Sequence, residues 1–175
     1  MSTMTLLKTI EDIAKIKPPG KKALQKLIYL AQRKGANFGF PFAIHYYGPY
    51  SSSLDYALQS LIMQGAVELH QWGFSSLIQP TGLSIADLDS EDDQQLSGDQ
   101  LAIIKQVVDK FAPRTPKELE LLTTTDFVAQ ERNKKGLEVT RETIVQEVKK
   151  IKGDKFSVRE IEDAIDELGN SGYLM

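Results

Sequence analysis

Apolar residues recur every three or four positions along most of this chain, and this spacing restricts the fold more than any other feature. Residues that start or stop helices bound each periodic segment, with serine or threonine before it and glycine or proline after it. The pattern therefore predicts a mainly α protein with seven helices. The first three helices are predicted at residues 5–16, at residues 21–34, and from a serine at 51–53 to about residue 65. The other four are predicted at residues 97–111, from residue 115 to before residue 136, at residues 140–151, and from residue 157 to residue 169 or 172.

Two segments in the first half favour extended structure. Residues 38–47 are rich in aromatic side chains, and a Gly-Pro turn follows them. Residues 67–70 alternate apolar and polar side chains, and residues 74–78 are the predicted returning strand of a hairpin. Three helices followed by a hairpin is the order of a winged helix-turn-helix, so the first half is predicted to be a winged-helix-like module. The second half is predicted to be a helical module without a full second hairpin, for which a winged-helix-like form is an alternative.

An acidic run at residues 87–95 is the sharpest boundary in the sequence. It holds almost no apolar side chains, and such composition is typical of a linker or exposed loop. Charge also changes there, because residues 1–86 carry a net +4 and residues 87–175 a net −7. We therefore predict modules at 1–86 and 96–175, although ordinary surface variation would also explain the charge difference.

Catalytic machinery is not recognisable in the sequence. Cysteine is absent, which excludes thiolate nucleophiles, disulfides and thiolate metal sites. Neither a phosphate-binding glycine loop nor a dinucleotide fingerprint occurs. A Ser-His-Asp set could be drawn from residues 51–53, His45 and Asp55, but the serines lack the Gly-x-Ser-x-Gly context of a nucleophile elbow. With only His45 and His70 as histidines, we expect no enzyme activity, no metal and no cofactor.

The N-terminal residues do not resemble a signal peptide, and no apolar run approaches the ~20 residues that cross a bilayer. We therefore expect a soluble, cytoplasmic protein.

Two motifs carry a family resemblance. They are KALQKLIYLAQ at residues 22–32 and HYYGPYS at 45–51, followed by a third predicted helix that ends in Gly-Ala-Val at 65–67. Residues 20–70 resemble the YwgA-like group of uncharacterised prokaryotic proteins and, more distantly, the Panacea domain of SocA-like antitoxins. The resemblance implies a helical, winged-helix-like fold. For Panacea it also implies neutralising a toxin protein or acting as an adaptor, and neither family contributes a catalytic residue.

Tyr46, Tyr47 and Tyr50 form the most unusual local cluster, close to Phe38, Phe40 and Phe42. These rings could pack in the core, anchor a partner protein, or stack on nucleic-acid bases. We take the three tyrosines as the candidate partner-binding residues.

Basic side chains in the first half suggest a second candidate surface. It comprises Lys21, Lys22, Lys26, Arg33 and Lys34. This patch could contact a nucleic-acid backbone or an acidic partner, or it could be a solvated helix face. Neither the third predicted helix nor the predicted wing carries lysine or arginine, although phosphate contacts supply much of DNA affinity. A regulatory or protein-interaction module is therefore the leading hypothesis, a DNA-binding transcriptional regulator is the alternative, and a homodimer is compatible with either.

Overall fold

The computed structural model describes residues 3–83 and 97–174 and confirms a mainly helical protein. The predicted acidic linker at 87–95 lies outside the described residues. Seven helices and two small antiparallel hairpins make up the described part of the chain. The helices are α1 (Thr3–Ile16), α2 (Lys21–Arg33), α3 (Ser52–Met63), α4 (Gly98–Phe111), α5 (Pro116–Lys134), α6 (Arg141–Lys152) and α7 (Val158–Asn170).

Side-chain caps fix where five of the helices begin. In each case the cap hydroxyl accepts a hydrogen bond from the backbone N–H three residues later. At Thr115 the Glu118 carboxylate also accepts from the Thr115 N–H at 2.8 Å, which completes the predicted capping box. The cap residues are Ser51, Ser97, Thr115, Thr140 and Ser157.

Four short strands form the two hairpins. Strands β1 (Ala43–His45) and β2 (Gly48–Tyr50) pair between α2 and α3, so only the end of the predicted extended segment is a strand. Strands β3 (Val67–Trp72) and β4 (Ser75–Pro80) form the predicted hairpin after α3. Gly20 also bridges to Leu77 of β4, so the link between α1 and α2 lies against the second hairpin.

Both halves of the chain contribute to one buried apolar cluster. Leu6, Ile28 and Leu58 from the first half pack in the same cluster as Phe111 and Leu168 from the second. A smaller cluster lies among α5, α6 and α7. Helix α5 packs against α2, β2, α6 and α7 and so connects the two clusters.

This shared core gives a first prediction. Limited proteolysis is expected to cut first within residues 87–95, because that run is acidic and almost without apolar side chains. The two fragments should then stay associated, since separating them would expose apolar side chains of both halves to water. Size-exclusion chromatography of the nicked protein, with mass spectrometry of the peak, checks both points. An earlier cut elsewhere would contradict the linker, and separate elution of the fragments would contradict the cohesion of the halves.

Candidate functional site

The turn between β1 and β2 displays two tyrosines. Because His45 pairs with Gly48, Tyr46 and Tyr47 are the two residues of the turn. Tyr46 is 83% exposed and Tyr47 is 42% exposed. Their rings meet edge to face with centroids 4.8 Å apart. Large aromatic rings at a fixed, exposed turn are the kind of group that anchors protein interfaces.

Helix α2 holds the hairpin from one side. The Gln25 amide donates to the Ser51 carbonyl at 2.9 Å and accepts from the Ser51 N–H at 2.8 Å. Lys26 Nζ donates to the Pro49 carbonyl at 2.6 Å. The motifs at residues 22–32 and 45–51 therefore form one unit, in which helix side chains bind the backbone after the turn.

Gly48 lets the hairpin approach α5 closely. Its φ of 97° is in the region that favours glycine. A Cβ at this position would lie 2.8 Å from Thr124 Oγ1 of α5. A larger residue would be strained and would also clash, so glycine is required for β2 to lie against α5.

A cleft of about 380 Å³ opens beside the turn, and we call it the hairpin cleft. Helices α2 and α3 form its walls together with the β1–β2 hairpin. It is lined by Lys21, Lys22, Leu24, Gln25, Lys26, His45, Tyr46, Tyr47, Gly48, Tyr50, Leu54, Asp55 and Leu58. The structure thus brings all three candidate tyrosines to one cleft with three of the five candidate cations.

Positive charge dominates the hairpin cleft. Lys22 Nζ lies 3.2 Å from the centroid of the Tyr47 ring, a cation–π contact. Burial lowers the pKa of Lys26 to about 8; Glu120 opposes this effect, while Lys152 and Lys22 add to it. At Tyr50, which is half-buried, desolvation and the nearby Asp55 carboxylate raise the pKa of the phenol.

A buried ionic cluster supports the hairpin from behind. The Glu120 carboxylate of α5 accepts hydrogen bonds from Lys152 Nζ at 2.7 Å and from Lys155 Nζ at 2.8 Å. Lys152 Nζ also donates to the Tyr46 carbonyl at 2.6 Å. The turn that carries the tyrosines is therefore fixed by side chains from both halves of the chain.

Comparison with known proteins identifies a relative of this chain. The uncharacterized protein YwgA of Bacillus subtilis (strain 168) is 30% identical to this chain over 130 residues, which cover 68% of this chain and 69% of YwgA. The chain belongs to the YwgA family. No model of a protein family matches the sequence.

In this YwgA-family chain the five predicted basic residues have different environments. Lys21 and Lys22 are exposed at the hairpin cleft, and Lys26 is buried at its floor. Arg33 instead forms an ion pair with buried Asp126 of α5, with Nε 2.6 Å from Oδ2. Lys34 donates to the Ser171 carbonyl near the end of the described chain. The five residues therefore do not form one continuous free surface.

The two histidines lie in different environments. His45 lies against Tyr50 with ring centroids 4.9 Å apart, and His70 Nε2 lies 2.6 Å from Glu68 Oε1 on exposed β3. Within residues 3–83 and 97–174, no group of three potential metal-binding side chains occurs. None of the helices in these ranges is long and apolar enough to cross a membrane.

Sequence patterns do not indicate Glu120, Lys152 and Lys155 as parts of the site. They lie more than 60 residues from the tyrosine turn along the chain, and their spacing is that of ordinary helix-surface charges. Only the packing of α5 and the end of α6 against the hairpin brings them together.

Proposed function

We propose that this protein is a non-enzymatic docking module whose hairpin cleft binds a segment of a partner protein. The observation that carries the proposal is the pair of exposed tyrosines held at the rim of a cleft of about 380 Å³. Apolar side chains such as Leu24, Leu54 and Leu58 line its walls. Concave, partly apolar clefts with a few polar groups are common ligand sites, and aromatic residues often carry most of the binding energy.

The rigidity of the turn supports this proposal. The backbone around Tyr46 and Tyr47 is held by Gln25, Lys26 and Lys152. A binding surface that is already ordered loses little conformational entropy when its partner arrives, and this favours affinity. The tyrosines themselves have few rotatable bonds, which lowers that cost further.

A winged-helix identity for the first half belongs to the same proposal. The order α1, α2, α3, β3, β4 supports it, and so does the bridge from Gly20 to Leu77, which places a third extended segment beside the hairpin. The resemblance of residues 20–70 to the Panacea domain points to an antitoxin-like or adaptor-like role, with a toxin protein as one kind of partner. In that role the cleft would hold part of the partner's surface.

Charge favours protein docking over the alternative of DNA binding. The exposed side of α3 carries Ser53, Tyr56 and Ser60 in place of lysine or arginine. The tip of the second hairpin exposes Trp72 and Phe74, which are also uncharged. Arginine is the commonest specific reader of bases, and basic side chains supply phosphate contacts. A duplex reader built on α3 would lack both.

Tyr47→Ala tests the proposal. Benzoylphenylalanine in place of Tyr46 would crosslink the natural partner, and mass spectrometry would identify it. Affinity for that partner, measured by calorimetry, is expected to fall by ~2 kcal/mol in Tyr47→Ala, because a central aromatic anchor is lost. Tyr56→Ala is the matched control, since Tyr56 is an exposed tyrosine on α3 outside the cleft lining. This variant should bind like the wild type.

Equal losses in the two variants, or no loss in Tyr47→Ala, would contradict docking at the hairpin cleft. Tight, sequence-selective binding of duplex DNA that survives Tyr47→Ala but is lost in Lys22→Ala would support the DNA-binding alternative.

A further inference from the structure

Lys26 is a buried cation with hydrogen-bonding capacity to spare. The residue is only 3% exposed, and within the part of the chain that the structure describes its ammonium donates one hydrogen bond, to the Pro49 carbonyl. An ammonium has three N–H donors. Among the described residues no carboxylate lies within 4 Å of Lys26 Nζ, and Glu120 is bonded instead to Lys152 and Lys155. Buried charges in proteins are normally paired, so Lys26 calls for an anion.

The hairpin cleft lies beside Lys26. Lys26 lines this cleft together with Lys21, Lys22 and His45. Its volume of about 380 Å³ is roughly thirteen times the ~30 Å³ that a water molecule occupies in the liquid, so a carboxylate group with its attached side chain fits. The cleft that Lys26 lines is therefore large enough for an anionic group.

The surrounding charges favour an anion over a cation. Three lysines line the cleft, and Asp55 is the acidic residue in its lining. Behind the turn, Lys155 Nζ lies 5.4 Å from the centroid of the Tyr47 ring, which Lys22 also contacts. Complementary charge selects partners and suppresses wrong ones. An acidic segment is thus the partner surface that matches this cleft.

We infer that the hairpin cleft binds a carboxylate from an acidic segment of the partner protein, with Lys26 at the floor and Lys22 at the rim. The inference rests on the proposed docking function and adds the chemistry of the partner. Lys26 would donate its remaining N–H groups to the carboxylate, while Tyr46 and Tyr47 pack against neighbouring apolar side chains of the segment. A charge-assisted hydrogen bond of this kind in a desolvated site gives both affinity and orientation.

Peptide selection tests this chemistry without knowledge of the partner. Random peptides displayed on phage are selected on the full chain and counter-selected on Tyr47→Ala. We expect the enriched peptides to share an aspartate or glutamate at one position next to apolar residues. A synthetic peptide and its amide version, with Asn or Gln at that position, are then compared by calorimetry. The amide version should bind wild type about tenfold or more weakly, because one charged hydrogen bond is lost.

The Lys26→Met variant should bind the acidic peptide more weakly by a similar factor, and it should bind the acidic and the amide peptide with equal affinity. Lys105→Met is the matched control, because Lys105 is an exposed lysine of α4 outside the cleft. It should leave both affinities unchanged. Thermal unfolding checks that the Lys26→Met variant is folded. A second measurement, on the wild-type protein, tests the inference without relying on that variant.

That second measurement is proton uptake. Burial, together with the charges of Lys152 and Lys22, lowers the pKa of Lys26 to about 8 against the opposing charge of Glu120, and a bound carboxylate would raise it. At pH 8 binding should therefore take up about half a proton, and at pH 6 almost none. Calorimetry in two buffers of different ionisation enthalpy measures this uptake.

The outcomes separate the two levels of the proposal. Peptides that require Tyr47 but bind equally well as acid and amide, without proton uptake at pH 8, would overturn the carboxylate inference and leave docking intact. Tighter binding of a phosphoserine peptide than of the acidic one would also overturn it, in favour of phosphate. If selection yields no peptide that depends on Tyr47, docking at the cleft itself fails and the inference fails with it.

Discussion

Asp126→Ala is expected to lower the free energy of unfolding by about 3–5 kcal/mol, because it removes the anion from a buried charged network. Asp126 is 0% exposed. Its Oδ2 accepts from the Tyr29 hydroxyl and from Arg33 Nε, both at 2.6 Å, and its Oδ1 accepts from Arg33 Nη2 at 3.1 Å. Without the carboxylate, the partly buried Arg33 guanidinium loses its counter-ion and the buried Tyr29 phenol loses its hydrogen-bond acceptor.

Asp109→Ala is the matched control for this change. Asp109 lies on α4 and pairs with Lys105 at 2.9 Å, but its side chain is 55% exposed. Exposed ion pairs contribute little, so this variant should stay within about 0.5 kcal/mol of wild type. Urea denaturation at pH 7 measures both. If the two variants prove equally stable, the Asp126 network does not stabilise the fold.

The Asp126 network also connects distant parts of the chain. Arg33 Nη2 donates to the Tyr173 carbonyl at 3.1 Å, and the Tyr173 hydroxyl donates to the Leu30 carbonyl at 3.1 Å. Helix α2, helix α5 and the residues after α7 are joined in this way. Burial and the Asp126 carboxylate both raise the pKa of Tyr29 and of Tyr173, so these phenols stay protonated as donors at neutral pH.

Local signals account for the parts of the fold that the sequence predicted well. Helix starts depend on a cap residue and the few residues after it, so Thr115 and Ser157 could be recognised without knowledge of the rest of the chain. The β3–β4 hairpin was likewise predicted by the alternation of apolar and polar side chains. In the structure β3 runs two residues further towards the turn than predicted, and β4 begins one residue later and ends two residues later.

The burial of several polar groups could not be predicted from the sequence. Thr123 to Asp126 form a polar run that periodicity assigns to a helix surface, yet all four residues are fully buried in α5. The partners of Asp126 are Tyr29 and Arg33, which are more than 90 residues away along the chain. Lys26, which the sequence placed on an exposed basic patch, is also buried.

Only part of the candidate site could be predicted, because some of its features are local in sequence and others depend on long-range packing. Tyr46, Tyr47 and Tyr50 were selected because aromatic residues cluster next to a turn, and a turn is a local feature. The basic residues were selected because they are close in sequence. On a helix, however, residues that are close in sequence point to several different faces. Arg33 lies on a face of α2 that meets α5, whereas Lys22 lies beside Tyr47. Which cations share a surface was therefore decided by tertiary packing.

Glu120→Gln is expected to lower the free energy of unfolding by about 3 kcal/mol or more at pH 7. The Lys152 and Glu120 side chains are only 4% and 7% exposed, so loss of the carboxylate charge leaves a buried ammonium facing a neutral amide. The same change should loosen the tyrosine turn, because Lys152 also holds the Tyr46 carbonyl. Glu131→Gln is the matched control on the same helix, since Glu131 pairs with the exposed Lys134 at 3.4 Å.

The effect of pH separates this charge from simple packing. Burial alone would raise the pKa of Glu120, but the hydrogen bonds from Lys152 and Lys155 outweigh it, and the pKa lies below its usual range. Since the folded pKa is below the unfolded value of about 4.3, the stabilisation is complete above that pH and is lost as the pH falls through the folded pKa. The stability gap between wild type and Glu120→Gln should therefore be constant from pH 7 to pH 5.5 and narrow at lower pH. Urea denaturation of both proteins across this range measures the stability gap. A gap that does not change with pH would mean that Glu120 stabilises the fold through its shape and not through its charge.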